Sequence, residues 1–138
     1  MALIELALPD RMRVLVAEDD CVQALVMTSF LQHFGIESTV VTDGAQAIRA
    51  VQDGDFDLVL MDCLMPVATG VDATLAVRRW EQLTDRLPVP IVAVTAGAMR
   101  EDCDRCLAAG MDGVLLKPFT AQQLHDTIAR HLPCEVRG

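Results

Sequence analysis

Four places in the chain put a chemically capable side chain directly after a short apolar run. Glu18-Asp19 follow Val14-Leu15-Val16-Ala17, Asp62 follows Leu58-Val59-Leu60-Met61, Thr95 follows Ile91-Val92-Ala93-Val94, and Lys117 follows Val114-Leu115-Leu116. Carboxylates that converge repel by about 4 kcal/mol per pair at roughly 4 Å and an effective dielectric near 20, so a cation must sit among them. Hard oxygen donors with open positions favour Mg²⁺, which keeps several waters and accepts a phosphate oxygen. Phosphoryl transfer needs mainly positioning and charge stabilisation. An ionised Asp62 as nucleophile, a metal on one side, Lys117 as a point charge and the Thr95 hydroxyl as a hydrogen-bond donor are sufficient for it. The chemistry to expect is an aspartate that becomes phosphorylated.

For these residues to meet, the runs must be neighbouring parallel strands. Each run is unbroken and rich in branched residues, as in strands buried on both faces, and each is followed by a helical stretch. Asp20 can cap a helix over 21–34, with Val22, Leu25, Val26, Ser29 and Phe30 at the spacing of one buried face, and Gly35 ends it. A second strand is expected over 37–42, an Asp43-Gly44 turn next, and then a short helix over 45–52 with Ile48 and Val51 inward. Beyond Pro66 and Gly70 a helix with Val71, Leu75 and Val77 runs to about 82, and Pro88-Val89-Pro90 separates it from the fourth strand. A helix over 99–109 is closed by Gly110, and Thr120 to Gln123 has the capping-box pattern for a last helix to about 131, with Leu124 and Ile128 inward.

Five strands alternating with five helices imply an α/β fold with right-handed crossovers, a flavodoxin-like doubly wound parallel sheet of order 2-1-3-4-5. Strands one and three then lie side by side, and ligands bind outside the carboxyl ends of the strands. That edge collects Glu18, Asp19, Asp62, Thr95 and Lys117.

Composition narrows the function classes. With 138 residues, 52% apolar and 22% charged, the chain has the material for one domain with a real core. The expected division is an extension over 1–11, a domain over 12–132 and a tail over 133–138. A net charge of −9 argues against a nucleic-acid surface. The first ten residues are too short to span a bilayer and lack a basic start, so neither an anchor nor membrane binding is expected. Five cysteines, an odd number in mostly apolar surroundings, fit reduced thiols and a cytoplasmic location. Cys103 and Cys106, three apart on one helix, lack a second ligand pair at metal spacing and read as structural. Asp20, Asp43, Asp72 and Asp112 read as caps or turn residues, His33 as a surface or cap group, and the methionines as core filling. Trp80 suits a partner surface and the core equally.

Val-Leu-Val-Ala-Glu-Asp-Asp20, Leu-Met-Asp62-Cys-Leu-Met-Pro66, Val-Thr95-Ala and Leu-Leu-Lys117-Pro118-Phe together resemble the receiver domain family of response regulators, over 12–131. Met61 to Pro66 and the stretch from Ala96 to Asp112 look most like receivers attached to hybrid sensor histidine kinases. The resemblance implies that Glu18, Asp19, Asp62 and the backbone carbonyl of Leu64 hold Mg²⁺, that Asp62 accepts a phosphoryl group from a phosphohistidine, and that Thr95 and Lys117 contact it. It implies a histidine kinase or histidine phosphotransfer protein as partner, a Lys117-Pro118 bond that is often cis, and oligomers, including a homodimer, that depend on the face of the fourth helix, fifth strand and fifth helix. The expected role is two-component phosphorelay signalling with no enzymatic activity beyond self-catalysed phosphorylation.

The chain departs from the family at Val114, where strongly switching receivers often carry an aromatic residue, and at Thr69, where an acidic residue is usual. Leu64 and Gly97 offer no polar side chain to orient a hydrolytic water, which implies a long-lived phosphoryl group. A small Mg²⁺-dependent phosphatase would need an Asp-x-Asp nucleophile, but Asp62 is followed by Cys63-Leu64, and no P-loop supports nucleotide hydrolysis. A receiver that only binds partners would have little use for all five site residues.

Overall fold

The computed structural model describes residues 12–63, 65, 69–96 and 100–131, with the backbone alone at 100–102. Within them the chain runs β1 (Arg13–Ala17), α1 (Cys21–His33), β2 (Glu37–Val41), α2 (Gly44–Asp53), β3 (Leu58–Asp62), α3 (Gly70–Leu83), β4 (Ile91–Thr95), α4 (Arg100–Ala108), β5 (Gly113–Leu116) and α5 (Ala121–Arg130). The strands form one parallel sheet in the order β2-β1-β3-β4-β5, as the sequence predicts. Every residue of β3 and β4 is buried, because helices cover both faces and leave no solvent side on which alternating polar residues would be favoured. Among the described residues no helix is long and apolar enough to cross a membrane.

Two apolar layers flank the sheet. On one face Val14, Val16, Leu58, Leu60, Val92 and Val94 meet Met27 and Leu31 of α1 and Leu124 and Ile128 of α5. On the other, Leu15, Val59, Met61, Ile91 and Ala93 meet Ala47 and Val51 of α2, Ala73 and Val77 of α3 and Cys106 of α4. Met12, Met27, Met61, Met65 and Met111 are all buried, in the filling role expected of them.

The inward face of α1 is a correction. Ala24, Met27 and Leu31 are its buried residues, whereas Val22, Leu25 and Val26 are 67%, 65% and 39% exposed and Ser29 faces solvent; Phe30 is half-buried against the core. Apolar residues occur all around this helix, so spacing alone does not select a face. The selection comes from β1 and the cap: the Asp20 carboxylate accepts from the N–H groups of Val22 and Gln23 at 2.9 and 3.2 Å, which fixes where the first turn points. Leu75 of α3 is likewise 51% exposed, while Val77 is buried.

The caps follow local chemistry. Asp43 and Gly44 are not a free turn, since Asp43 caps α2 and Gly44 is its first residue. Thr69 and Asp72 form a reciprocal capping box on α3, and Thr120 and Gln123 form one on α5. Gly35 after α1 and Gly110 after α4 have positive φ, 79° and 110°, as helix exits require. Trp80 is half-buried against the second layer, with the Arg86 guanidinium 4.8 Å from its ring.

Met27→Ala is expected to cost about 2–5 kcal/mol in urea unfolding, as for a buried large-to-small change, and Leu25→Ala less than about 0.5 kcal/mol. Equal losses would mean that α1 presents the other face to the sheet.

Candidate functional site

Adjacency of β1 and β3 is what builds the site. Ala17 pairs with Met61, so the next residues, Glu18 and Asp62, emerge side by side at the carboxyl edge. Asp62 in turn stands beside Val94 and Thr95 beside Leu116, which brings β4 and β5 into the same crevice. Carboxylate oxygens of Glu18, Asp19 and Asp62 lie within 4.8 Å of one another. Glu18 and Asp62 are 1% and 6% exposed, while Asp19 is open to solvent.

Lys117 closes the cluster from the far side of the sheet. Its Nζ donates to Glu18 Oε1 at 2.9 Å and stands 3.9 Å from Asp62 Oδ2, and its backbone N–H donates to the Thr95 carbonyl at 2.9 Å. The Lys117–Pro118 peptide bond is cis. Thr95 is buried at 6% exposure. The other oxygen of Glu18 accepts from the Asp20 N–H at 3.3 Å, so Glu18 is held from two directions while Asp19 projects toward solvent. Asp20, named beside them, serves as the α1 cap. Among the described residues, hard carboxylate donors within a few ångströms of each other, one cationic side chain and one solvent-facing acid suit a small divalent oxygen-seeking cation. Leu64, expected to contribute a carbonyl, lies outside the described residues, as do Gly97, Met99 and Cys134.

Two further features border Asp62. A Cβ on Gly70 would overlap the Asp62 carbonyl oxygen and crowd Cys63 Cα; the backbone after Asp62 thus packs against the start of α3 without a side chain between them. Cys63, the next residue, contacts Cys106 of α4 with the two sulfurs 3.0 Å apart. Burial pushes the Cys63 thiol well above its ordinary range, helped by that hydrogen bond and by the charges of Cys106 and Asp62. Cys63 is therefore held as a neutral thiol beside the carboxylates. Sequence spacing pairs Cys103 with Cys106, but Cys106 is buried in the core and its partner is 43 residues away. Only the fold brings the two together.

A family model described as the response regulator receiver domain matches residues 14–129. The chain belongs to that family. The receiver is 40% identical over 119 residues to the transcription factor SKN7 of Saccharomyces cerevisiae, an alignment covering 86% of this chain and 18% of that protein. To the sensor protein GacS of Pseudomonas syringae it is 40% identical over 118 residues, covering 86% and 13%. The chain thus spans less than a fifth of the length of these relatives. Among solved structures, the receiver domain of the sensor histidine kinase PA1611 from Pseudomonas aeruginosa, with a magnesium ion coordinated in its active-site cleft, superimposes with a TM-score of 0.80 at 37% identity, covering 88% of this chain and 97% of that one. The receiver domain of Ssk1 from Saccharomyces cerevisiae, in complex with the histidine phosphotransfer protein Ypd1, gives 0.85 at 26% identity, covering 94% of each chain.

Convergent negative charge predicts a conditional stability effect. Asp62→Asn removes one carboxylate from the cluster and is expected to melt higher than the wild type in chelator. Saturating Mg²⁺ should reduce or reverse the difference by stabilising the wild type more. Calorimetric melting of both proteins with and without Mg²⁺ checks this, and a variant less stable than wild type in chelator would contradict it.

Proposed function

We propose that Asp62 is the phosphoacceptor of a phosphorelay and takes its phosphoryl group from a phosphohistidine on a histidine kinase or histidine phosphotransfer protein. The observation that carries this reading is the cluster itself: three carboxylates from two adjacent strands share one crevice with a lysine from β5. Two of these carboxylates, Glu18 and Asp62, are buried, and buried like charges are costly unless they serve a ligand.

In the proposed reaction an Asp62 carboxylate oxygen forms the new P–O bond while the P–N bond to the donor imidazole breaks, and the imidazole keeps that electron pair. Mg²⁺ held by Glu18, Asp19, Asp62 and the Leu64 carbonyl would offset the charge of the incoming group. Lys117 lies 3.9 Å from Asp62 Oδ2 and exchanges part of its interaction with Glu18 for a phosphoryl oxygen. Thr95 sits on the next strand and donates its hydroxyl to another oxygen. This self-catalysed step is the only phosphoryl chemistry in the reading, and the chain acts on its partners by changing the surface it presents.

The donor's docking face is assigned to α1. Val22, Leu25 and Val26 form an exposed apolar strip on the helix that Asp20 caps, directly beside the acidic cluster. A helical partner seated there would bring its histidine to the mouth of the crevice.

Intact mass after incubation with acetyl phosphate tests the reading. A single Mg²⁺-dependent, hydroxylamine-labile phosphoryl adduct is expected on the wild type and none on Asp62→Asn. Lys117→Ala should slow its formation by about 10²-fold, the usual effect of removing one charge-stabilising donor. An unchanged adduct on Asp62→Asn would refute the assignment.

A further inference from the structure

The Cys63–Cys106 contact is not used by the phosphoryl chemistry, and it joins two parts of the molecule that the chemistry needs. Cys63 follows Asp62 directly, and its N–H donates to Val94 O at 3.4 Å, one residue before Thr95. Cys106 sits on α4, the helix that follows the loop leaving Thr95. Cys103, one turn earlier on α4, is half-exposed and close enough for its charge to bear on Cys63.

We propose that Cys63 and Cys106 are a redox modification site, joined as a disulfide by a small-molecule disulfide of the glutathione class, and that this bond restrains the phosphoacceptor. The sulfurs are 3.0 Å apart, and a disulfide of about 2.05 Å requires them to approach by roughly 1 Å. The same spacing disfavours a zinc site, because two thiolates each about 2.3 Å from a tetrahedral ion stand roughly 3.8 Å apart. Among the described residues no third metal-binding side chain completes a cluster with them.

Entry is at Cys103. Its thiolate attacks the external disulfide, forming a mixed disulfide and expelling one thiol; Cys106 then attacks the Cys103 sulfur and expels the second. Cys63 attacks Cys106, forms the final S–S bond and gives its proton to the departing Cys103 sulfur. In sum two protein thiols lose two electrons and two protons, and one external disulfide becomes two thiols. The 3.0 Å contact makes this last exchange an intramolecular step in place of an encounter in solution. The resulting bond fastens the end of β3, directly after Asp62, to α4.

The restraint on phosphorylation rests on Asp62 being the phosphoacceptor; the disulfide does not. The test equilibrates the protein with reduced and oxidised glutathione, alkylates the remaining thiols and maps disulfides by peptide mass, while acetyl phosphate uptake is timed on the same samples. A Cys63–Cys106 bond is expected, together with uptake slowed about fivefold or more, the lower end of ordinary coupling between sites. Dithiothreitol should restore the rate, and Cys106→Ser should take up phosphoryl at the reduced wild-type rate in either buffer. Mapping of the wild type decides the pairing even where the variant does not fold. No Cys63–Cys106 bond, a Cys103–Cys106 bond as the end product, or unchanged uptake by cross-linked protein would overturn the proposal. Absence of uptake by the fully reduced wild type would instead overturn the phosphoacceptor reading and, with it, the restraint.

Discussion

Glu18 is almost wholly buried and meets Lys117 at 2.9 Å across β3 and β4. Without that pairing the carboxyl edge of the sheet would gather two buried acids and one exposed acid with no compensating charge, and removing one partner of a buried pair costs about 3–5 kcal/mol. The need to balance this charge constrains much of the surrounding structure. β1 must lie against β3 to present Glu18 beside Asp62, β5 must lie at the far side to deliver Lys117, and both requirements are met by a sheet of order 2-1-3-4-5.

Among the described residues this balance is incomplete. One lysine faces three carboxylates, and Lys117 is closer to Glu18 than to Asp62 by 1.0 Å (3.9 against 2.9 Å). The crevice therefore suits a divalent cation. A receiver, seen this way, is a charge arrangement that reaches neutrality only when occupied. Next to the site stand Thr95, the Cys63–Cys106 contact and α1 with its exposed apolar strip.

Much of this was legible in the sequence because local and global signals agree. β3 and β4 read as continuous apolar runs since both of their faces are covered, and α5 read correctly since Leu124 and Ile128 stand on one clear face with a capping box before them. The acids could be placed at one edge because strand order follows from the alternation of elements. α1 was misread because apolar residues encircle it, and only packing distinguishes Met27 from Leu25. The Glu18–Lys117 pair and the Cys63–Cys106 contact were also beyond the sequence reading, since each depends on how side chains from distant strands and helices meet. Asp112 serves β4 and α3 rather than a turn: it accepts from the Ile91 N–H at 2.8 Å and from Arg78 at 3.0 Å.

The central claim, that the carboxylate cluster is built to hold a divalent cation next to Asp62, is tested most directly by calorimetric titration with Mg²⁺ of the wild type and of Asp19→Asn and Glu18→Gln. One ion per chain is expected for the wild type, with binding weakened severely in Asp19→Asn and measurably in Glu18→Gln, whose carboxylate is shared with Lys117. Absence of binding to the wild type, or equal binding by all three proteins, would contradict it.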